Sequence, residues 1–222
     1  MNRRHAGYWL SHVFLVLGAA GLSAAEFPDP ALDVKPAAGN QTMVLAGGCF
    51  WCTEAVFEII DGVDNVISGY SGGTKETANY RAVCNGDTGH AEAIRITYDP
   101  TKVSYGHLLK AFFSIAHDPT TLNRQGHDVG TQYRSAIFYA NDEQKKVAEA
   151  YIKQLDEAKV FSSPIVTKIE PLKEFYPAEL YHQDYVWLNP DQPYVVSQAL
   201  GKVAKAKQFP SETMTPATQP SK

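Results

Sequence analysis

A short apolar run, Thr42 to Ala46, stops at the adjacent glycines Gly47 and Gly48, and Cys49 follows directly. This order constrains the fold strongly. It describes a strand, a tight turn and then a helix from about Phe50, with Val56, Ile59 and Ile60 on its apolar side. The cysteine is also chemically marked by its place. Backbone N–H groups at a helix N-terminus carry partial positive charge and favour thiolate over thiol. Cys49 is therefore expected to ionise more readily than an ordinary cysteine. Cys52 lies about one helical turn further on, close enough to attack an oxidised Cys49.

The rest of the chain alternates between strand and helix signals without a strict period. Val63 to Ser68 has strand character and runs into Gly69, Gly72 and Gly73. From Ala93 to Tyr98 the residues alternate: Ile94, Ile96 and Tyr98 share one face, Arg95 and Thr97 the other. Glu92 has the parity of the apolar set, so its carboxyl is expected to face the apolar layer, where burial raises a carboxyl pKa. Ser104 is a good N-cap for a helix burying Leu108, Leu109, Phe112 and Phe113. Ser135–Tyr139 reads as a strand, and Asn141 with Gln144 forms a capping-box pattern. The helix opened there carries Val147, Tyr151 and Leu155 on one stripe, beside Ala148 and Ile152. Ile165–Ile169 reads as a further strand. Irregular interleaving of this kind predicts an α+β two-layer sandwich, a mixed sheet with flanking helices.

Both ends differ from the middle. Arg3 and Arg4 precede the apolar stretch Tyr8–Leu22, and Ser23-Ala24-Ala25 supplies small residues suited to cleavage. Residues 1–25 read as a secretory signal peptide, which predicts a periplasmic or secreted protein. The alternative is an uncleaved N-terminal membrane anchor. Residues 26–40, rich in Pro, Ala and Asp, read as a linker, 41–208 as one domain and 209–222 as a disordered tail. Those coil segments flank the sandwich at both termini. The net charge of −4 comes with no basic block able to track a phosphate backbone, which argues against a nucleic-acid partner.

The chain has three cysteines, Cys49, Cys52 and Cys84, too few and too uneven for a disulfide scaffold. A single C-x-x-C is half a zinc site, and no second pair with ligand spacing accompanies it, so no metal is expected. A structural disulfide without function, or a thiol–disulfide exchange pair, fits those two cysteines as well as sulfur redox catalysis does.

Longer motifs separate these readings. Gly47-Gly48-Cys49-Phe50-Trp51 closely resembles the active-site motif of the methionine sulfoxide reductase A family. Four further segments resemble that family in the same order: Asn79 to Cys84, Gly86 to Glu92, Gly130 to Ser135, and Tyr181 to Tyr185. The resemblance covers roughly residues 42–190. It implies a ferredoxin-like core, no cofactor, and reduction of the S epimer of methionine sulfoxide, free or in proteins. Cys49 matches the nucleophile. Glu92 matches the carboxyl group that protonates the sulfoxide oxygen, and Tyr80 and Tyr133 the phenols that hold that oxygen. Phe50 and Trp51 match aromatic walls around the terminal methyl group, and Asp128 a carboxylate supporting the same pocket.

His90, His117 and His127 are expected to be structural or on the surface. Cys84 matches a non-catalytic position and is expected to be a free thiol buried in the core. The chain has no cysteine beyond Cys84, which closes the C-terminal resolving route that some members use. Cys52 is the natural candidate, because Cys49-Phe50-Trp51-Cys52 resembles the family's Cys-Phe-Trp-Cys subset. That resemblance implies a Cys49–Cys52 disulfide reopened by a thioredoxin-like reductant, with Cys84 next in line. A monomer is expected. The rivals are a thioredoxin-type disulfide oxidoreductase, which would leave Glu92, Tyr80 and Tyr133 without a task, and a non-enzymatic exported binding module.

Overall fold

The computed structural model describes residues 27–212. The predicted signal peptide, with its membrane-anchor alternative, and residues 213–222 of the predicted tail lie outside the described residues. Residues 209–212 are held instead, since Glu212 accepts the Ser104 amide at 2.6 Å and the Pro210 carbonyl bonds His107 Nε2 at 2.9 Å.

The chain runs β1 (Gln41–Gly47), α1 (Phe50–Phe57), β2 (Val63–Ser71), α2 (Tyr80–Val83), β3 (Ala91–Tyr98) and α3 (Tyr105–Ala111). It continues through β4 (Arg124–Gln125), β5 (Asp128–Val129), β6 (Ser135–Tyr139), α4 (Asp142–Glu157), β7 (Lys168–Pro171) and β8 (Phe175–Pro177). It closes with α5 (Tyr185–Leu188), α6 (Pro193–Gln198) and α7 (Leu200–Ala206). The main sheet has the order β7-β6-β1-β3-β2-β8. Its inner order, β6-β1-β3-β2, with α1 and α3 as the crossovers, is the ferredoxin-like arrangement. β6 and β7 pair in parallel while the other pairs are antiparallel, so the sheet is mixed.

Strand parity assigns the two faces. Met43, Leu45, Ile94, Ile96, Tyr98 and Ile137 point to the main core, which they share with residues of α1, α3 and α4. Val44, Ala46, Ala91, Ala93, Ala136 and Phe138 point the other way, where Phe175 and Leu172 cover them. All three long crossover or packing helices therefore lie on one face, as two layers. α1 is buried nearly all round, Thr53 and Glu54 included, because the sheet, the C-terminal helices and the turn after α3 enclose it.

Caps fall where the side chains allow them. Ser104 accepts from the His107 amide at 3.1 Å and Asn141 from the Gln144 amide at 2.9 Å. The reverse bond differs from an ideal box, since Gln144 Oε1 takes the Ala140 amide. The strand expected at Ile165–Ile169 begins only at Lys168. The Ile165 amide goes to Asp156 Oδ1 and the Val166 amide to the Pro119 carbonyl, so neither enters the ladder.

The coil before β1 is not a loose spacer. Phe27 is buried in the main core, Asp33 Oδ1 accepts the Gly106 amide at 2.8 Å, and Asp29 meets the buried Lys110 ammonium at 2.7 Å. Among the described residues, no helix is long and apolar enough to cross a membrane.

Candidate active site

The turn between β1 and α1 is built from glycine for steric reasons. Gly48 has φ +88°, and a Cβ there would lie 2.5 Å from Gln125. A Cβ on Gly47 would press on Phe112 at 3.0 Å. Cys49 is the residue preceding the first helical position, with extended dihedrals, and its carbonyl accepts the Cys52 and Thr53 amides. The next amide, that of Phe50, donates to Glu92 Oε2 at 3.1 Å. Glu92 reaches it because β3 pairs with β2, Tyr70 opposite Glu92, with both side chains on the helix face.

A cavity of about 210 Å³ opens here. Cys49, Phe50, Trp51, Tyr80, Glu92, Asp128 and Tyr133 all line it. Seven of the eight residues expected from sequence thus face one space. Cys52 is the exception, buried behind Cys49. Gln192 and Tyr194 complete the lining and were not anticipated. The signal that could have found them is Pro193, which opens α6 immediately before Tyr194.

Tyr194 closes the site chemically as well. Its hydroxyl donates to Asp128 Oδ2, and its ring lines the same cavity as Cys49. Burial, then the neighbouring Cys49, holds this phenol protonated. The Tyr80 and Tyr133 phenols are likewise raised, first by burial, and remain donors. Glu179 positions Tyr80 by accepting its amide at 3.0 Å while also accepting the Tyr70 hydroxyl at 2.8 Å. Trp51 is clamped by Tyr185, stacked at 3.7 Å and 8°, and by a bond from its Nε1 to His182 Nδ1 at 3.1 Å. That bond makes His182 an acceptor at Nδ1 and places its proton on Nε2.

Glu92 sits well above the usual carboxylate range, chiefly through burial and then through Cys49. A neutral carboxylic acid therefore faces the cavity, as its strand parity implied. Cys49 departs from expectation. Burial, followed by the hydrogen bond and field of Cys52, pushes its thiol well above the ordinary value. An eight-residue helix cannot offset removal of the sulfur from water. Within the pair, the hydrogen bond from Cys49 lowers Cys52 instead.

Cys84 also corrects an expectation, because it is exposed rather than in the core. It caps the C-terminus of the four-residue α2, of which only Val83 is buried. His90 and His117 are buried structural residues. His90 bridges the Gly73 amide and the Thr74 carbonyl, and His117 binds the Phe112 carbonyl and Ser135 Oγ. His127 is exposed. Among the described residues, no cluster of three His, Cys, Asp or Glu could hold a metal ion.

Residues 41–213 match the family model of the peptide methionine sulfoxide reductases. The chain belongs to this family. It is similar to peptide methionine sulfoxide reductase MsrA 2 of Mesorhizobium japonicum, 56% identical over 181 residues, covering 81% of this chain and 93% of that protein. The MsrA 2 of Synechocystis is 54% identical over 191 residues, covering 84% and 89%. Among solved structures, reduced Mxr1 of Saccharomyces cerevisiae superposes with a TM-score of 0.64 at 36% identity, covering 74% of this chain and 93% of that one. Methionine sulfoxide reductase A of Corynebacterium diphtheriae gives 0.60 at 34% identity, with 77% and 86% covered. The mixed sheet with flanking helices is thus the fold of this reductase family.

Proposed function

We propose that this enzyme reduces methionine S-sulfoxide, free or within proteins, to methionine through a sulfenic acid on Cys49. The observation that carries the reading is the convergence of the Cys49 sulfur, a neutral Glu92 and two protonated phenols on one aromatic-walled cavity. A sulfoxide needs this combination. Its sulfur becomes electrophilic only as its oxygen is protonated or hydrogen-bonded, and its methyl group gains from leaving water.

The thioether methyl packs against Phe50 and Trp51, and the oxygen faces Glu92, Tyr80 and Tyr133. As the Cys49 sulfur attacks the sulfoxide sulfur, Glu92 gives its proton to the oxygen. The raised Cys49 thiol returns a proton to Glu92, so the acid is restored within the step. The oxygen passes to Cys49, and methionine leaves. Cys52 then attacks the sulfenic sulfur, forming the Cys49–Cys52 disulfide and releasing the oxygen as water. A thioredoxin-like dithiol protein returns both thiols. With methyl and oxygen assigned to different walls and the sulfur facing Cys49, one configuration at sulfur is favoured, and family membership makes the S epimer the one proposed.

Single-turnover reduction of separate S and R sulfoxide peptides, with Cys49→Ser as control, tests this directly. Loss of the S epimer alone, abolished in the variant, is the expected result. No turnover of either epimer would pass the assignment to a thiol–disulfide oxidoreductase, which insulin-disulfide reduction would then reveal.

We infer further that the protein is exported from the cytoplasm, on the strength of Arg3, Arg4, the apolar Tyr8–Leu22 and Ser23-Ala24-Ala25. N-terminal sequencing of the protein recovered from cells should begin near Glu26. An intact Met1 in a membrane fraction would favour the uncleaved anchor instead.

A further inference from the structure

Reopening a disulfide requires a thiolate to reach one of its two sulfurs, and in this fold the two are not equivalent targets. Cys49 is part of the cavity wall. Cys52 lies outside that lining, 2% exposed, packed with Val195 of α6 and Ala199 and Val203 toward the C-terminus. That cover is pinned in two places. Tyr194 donates to Asp128, and Lys202 Nζ donates to the Ala116 carbonyl at 2.8 Å. Exposing Cys52 would mean lifting α6 and α7 and breaking those bonds. Exposing Cys49 needs only an empty pocket, and departure of methionine provides it.

We propose that the protein dithiol that regenerates this enzyme enters through the sulfoxide pocket and attacks Cys49, with Cys52 as the leaving sulfur beneath α6 and α7. The inference rests on the Cys49–Cys52 disulfide of the proposed function. In the first exchange the donor's thiolate bonds to Cys49 Sγ, the Cys49–Cys52 bond breaks, and Cys52 departs as a thiolate that then takes a proton. In the second, the donor's other thiolate displaces Cys49 from the mixed disulfide. Two electrons pass to the enzyme, and the donor is left with its own disulfide. The class of partner is set by the pocket. It must be a protein whose reactive cysteine projects far enough to enter a cavity the size of one side chain. Substrate and donor then use one opening in turn and cannot bind together.

The test begins by oxidising the full-length reduced protein with one equivalent of a methionine S-sulfoxide peptide. Release of one methionine with loss of the Cys49 and Cys52 thiols establishes the disulfide before any donor is added. The oxidised protein is then mixed with a thioredoxin whose second active-site cysteine is serine, quenched in acid, alkylated and peptide-mapped by mass spectrometry. The expected adduct joins the probe to Cys49, with the alkyl group on Cys52. A probe found on Cys52 would overturn the proposal. So would the absence of an adduct at Cys49 while wild-type thioredoxin still reduces the enzyme. If methionine is released but no Cys49–Cys52 disulfide forms, Cys52 is withdrawn as the resolving thiol and this inference falls with it, while the reductase activity stands.

Discussion

Around Phe57 and Ile94 the protein is held by apolar side chains on a repeating lattice of strands and helices. Residues 178–194 cross the same helix, α1, with short turns of helix and are held largely by polar contacts. Gln183 shows the second mode. Its Oε1 accepts the Ser68 amide at 2.9 Å, and its Nε2 donates to the Ser68 and Ala178 carbonyls, so one side chain extends the sheet edge beside β8. Glu179, His182 and Tyr194 act similarly on Tyr80, Trp51 and Asp128. The lattice positions the reacting groups Cys49 and Glu92, and the polar wrap adds Gln192 and Tyr194 to the wall and braces Trp51, Tyr80 and Asp128. Precision in the first comes from packing density, and in the second from bonds that lose free energy when a buried partner is left unmade.

The sharpest way to break this comparison is to remove a reacting proton while keeping the lattice. Glu92→Gln should slow methionine release in a single turnover by roughly 10²- to 10⁴-fold, with little change in thermal stability. A rate near wild type would mean that the phenols suffice. Truncating the lattice itself is the complementary case. Phe57→Ala should cost about 3–5 kcal/mol in denaturant unfolding, because Phe57 is fully buried.

A third test uses pH at the seam between the two regions. Glu54 of α1 is buried, its Oε1 finds no hydrogen-bond partner among the described residues, and burial with the adjacent Glu58 carboxylate lifts it to about 8. Asp184, at the head of α5, adds to both carboxyls, and burial leads in raising Glu58 to about 7. A raised carboxyl keeps a proton that the unfolded chain releases. Its stabilisation is therefore complete below the ordinary value of 4.5 and lost as pH rises through about 8. Stability should fall by a few kcal/mol over that window, and Glu54→Gln should flatten the curve. A wild-type melting temperature that rises from pH 5 to 8 would contradict the assignment.

Smaller effects belong to the wrap. Gln183→Ala should cost about 1–3 kcal/mol and raise KM more than it lowers kcat. Tyr194→Phe should lower the single-turnover rate by about tenfold, the loss of one donor. If Tyr194→Phe instead matched Glu92→Gln, the wrap would be doing chemistry and not enclosure.

Much of the lattice was legible in the sequence. Alternation put Glu92 with Ile94 and Ile96, Ser104 and Asn141 marked their helix starts, and the ordered motifs named eight residues, of which seven line the cavity. What stayed hidden has a common cause. Gln192 and Tyr194 sit in a turn and a short helix with no period to read, and their role exists only because α6 folds back on α1. Cys84 was expected in the core, but it ends a four-residue helix of which only Val83 is buried, since a single helical turn has room to bury only one side.

Local order along the chain, then, determined which residues could be strands, which could cap helices, and which cysteine would stand at the head of α1. Those properties depend on neighbours within a few positions, through backbone sterics and side-chain parity. The tertiary structure alone decided that Cys49 is a raised thiol and not a free thiolate, that Cys52 is roofed over, and which walls complete the pocket. Desolvation depends on every atom that displaces water, and over Cys49 and Cys52 those atoms include Val186, Val195, Ala199 and Val203, more than a hundred positions away.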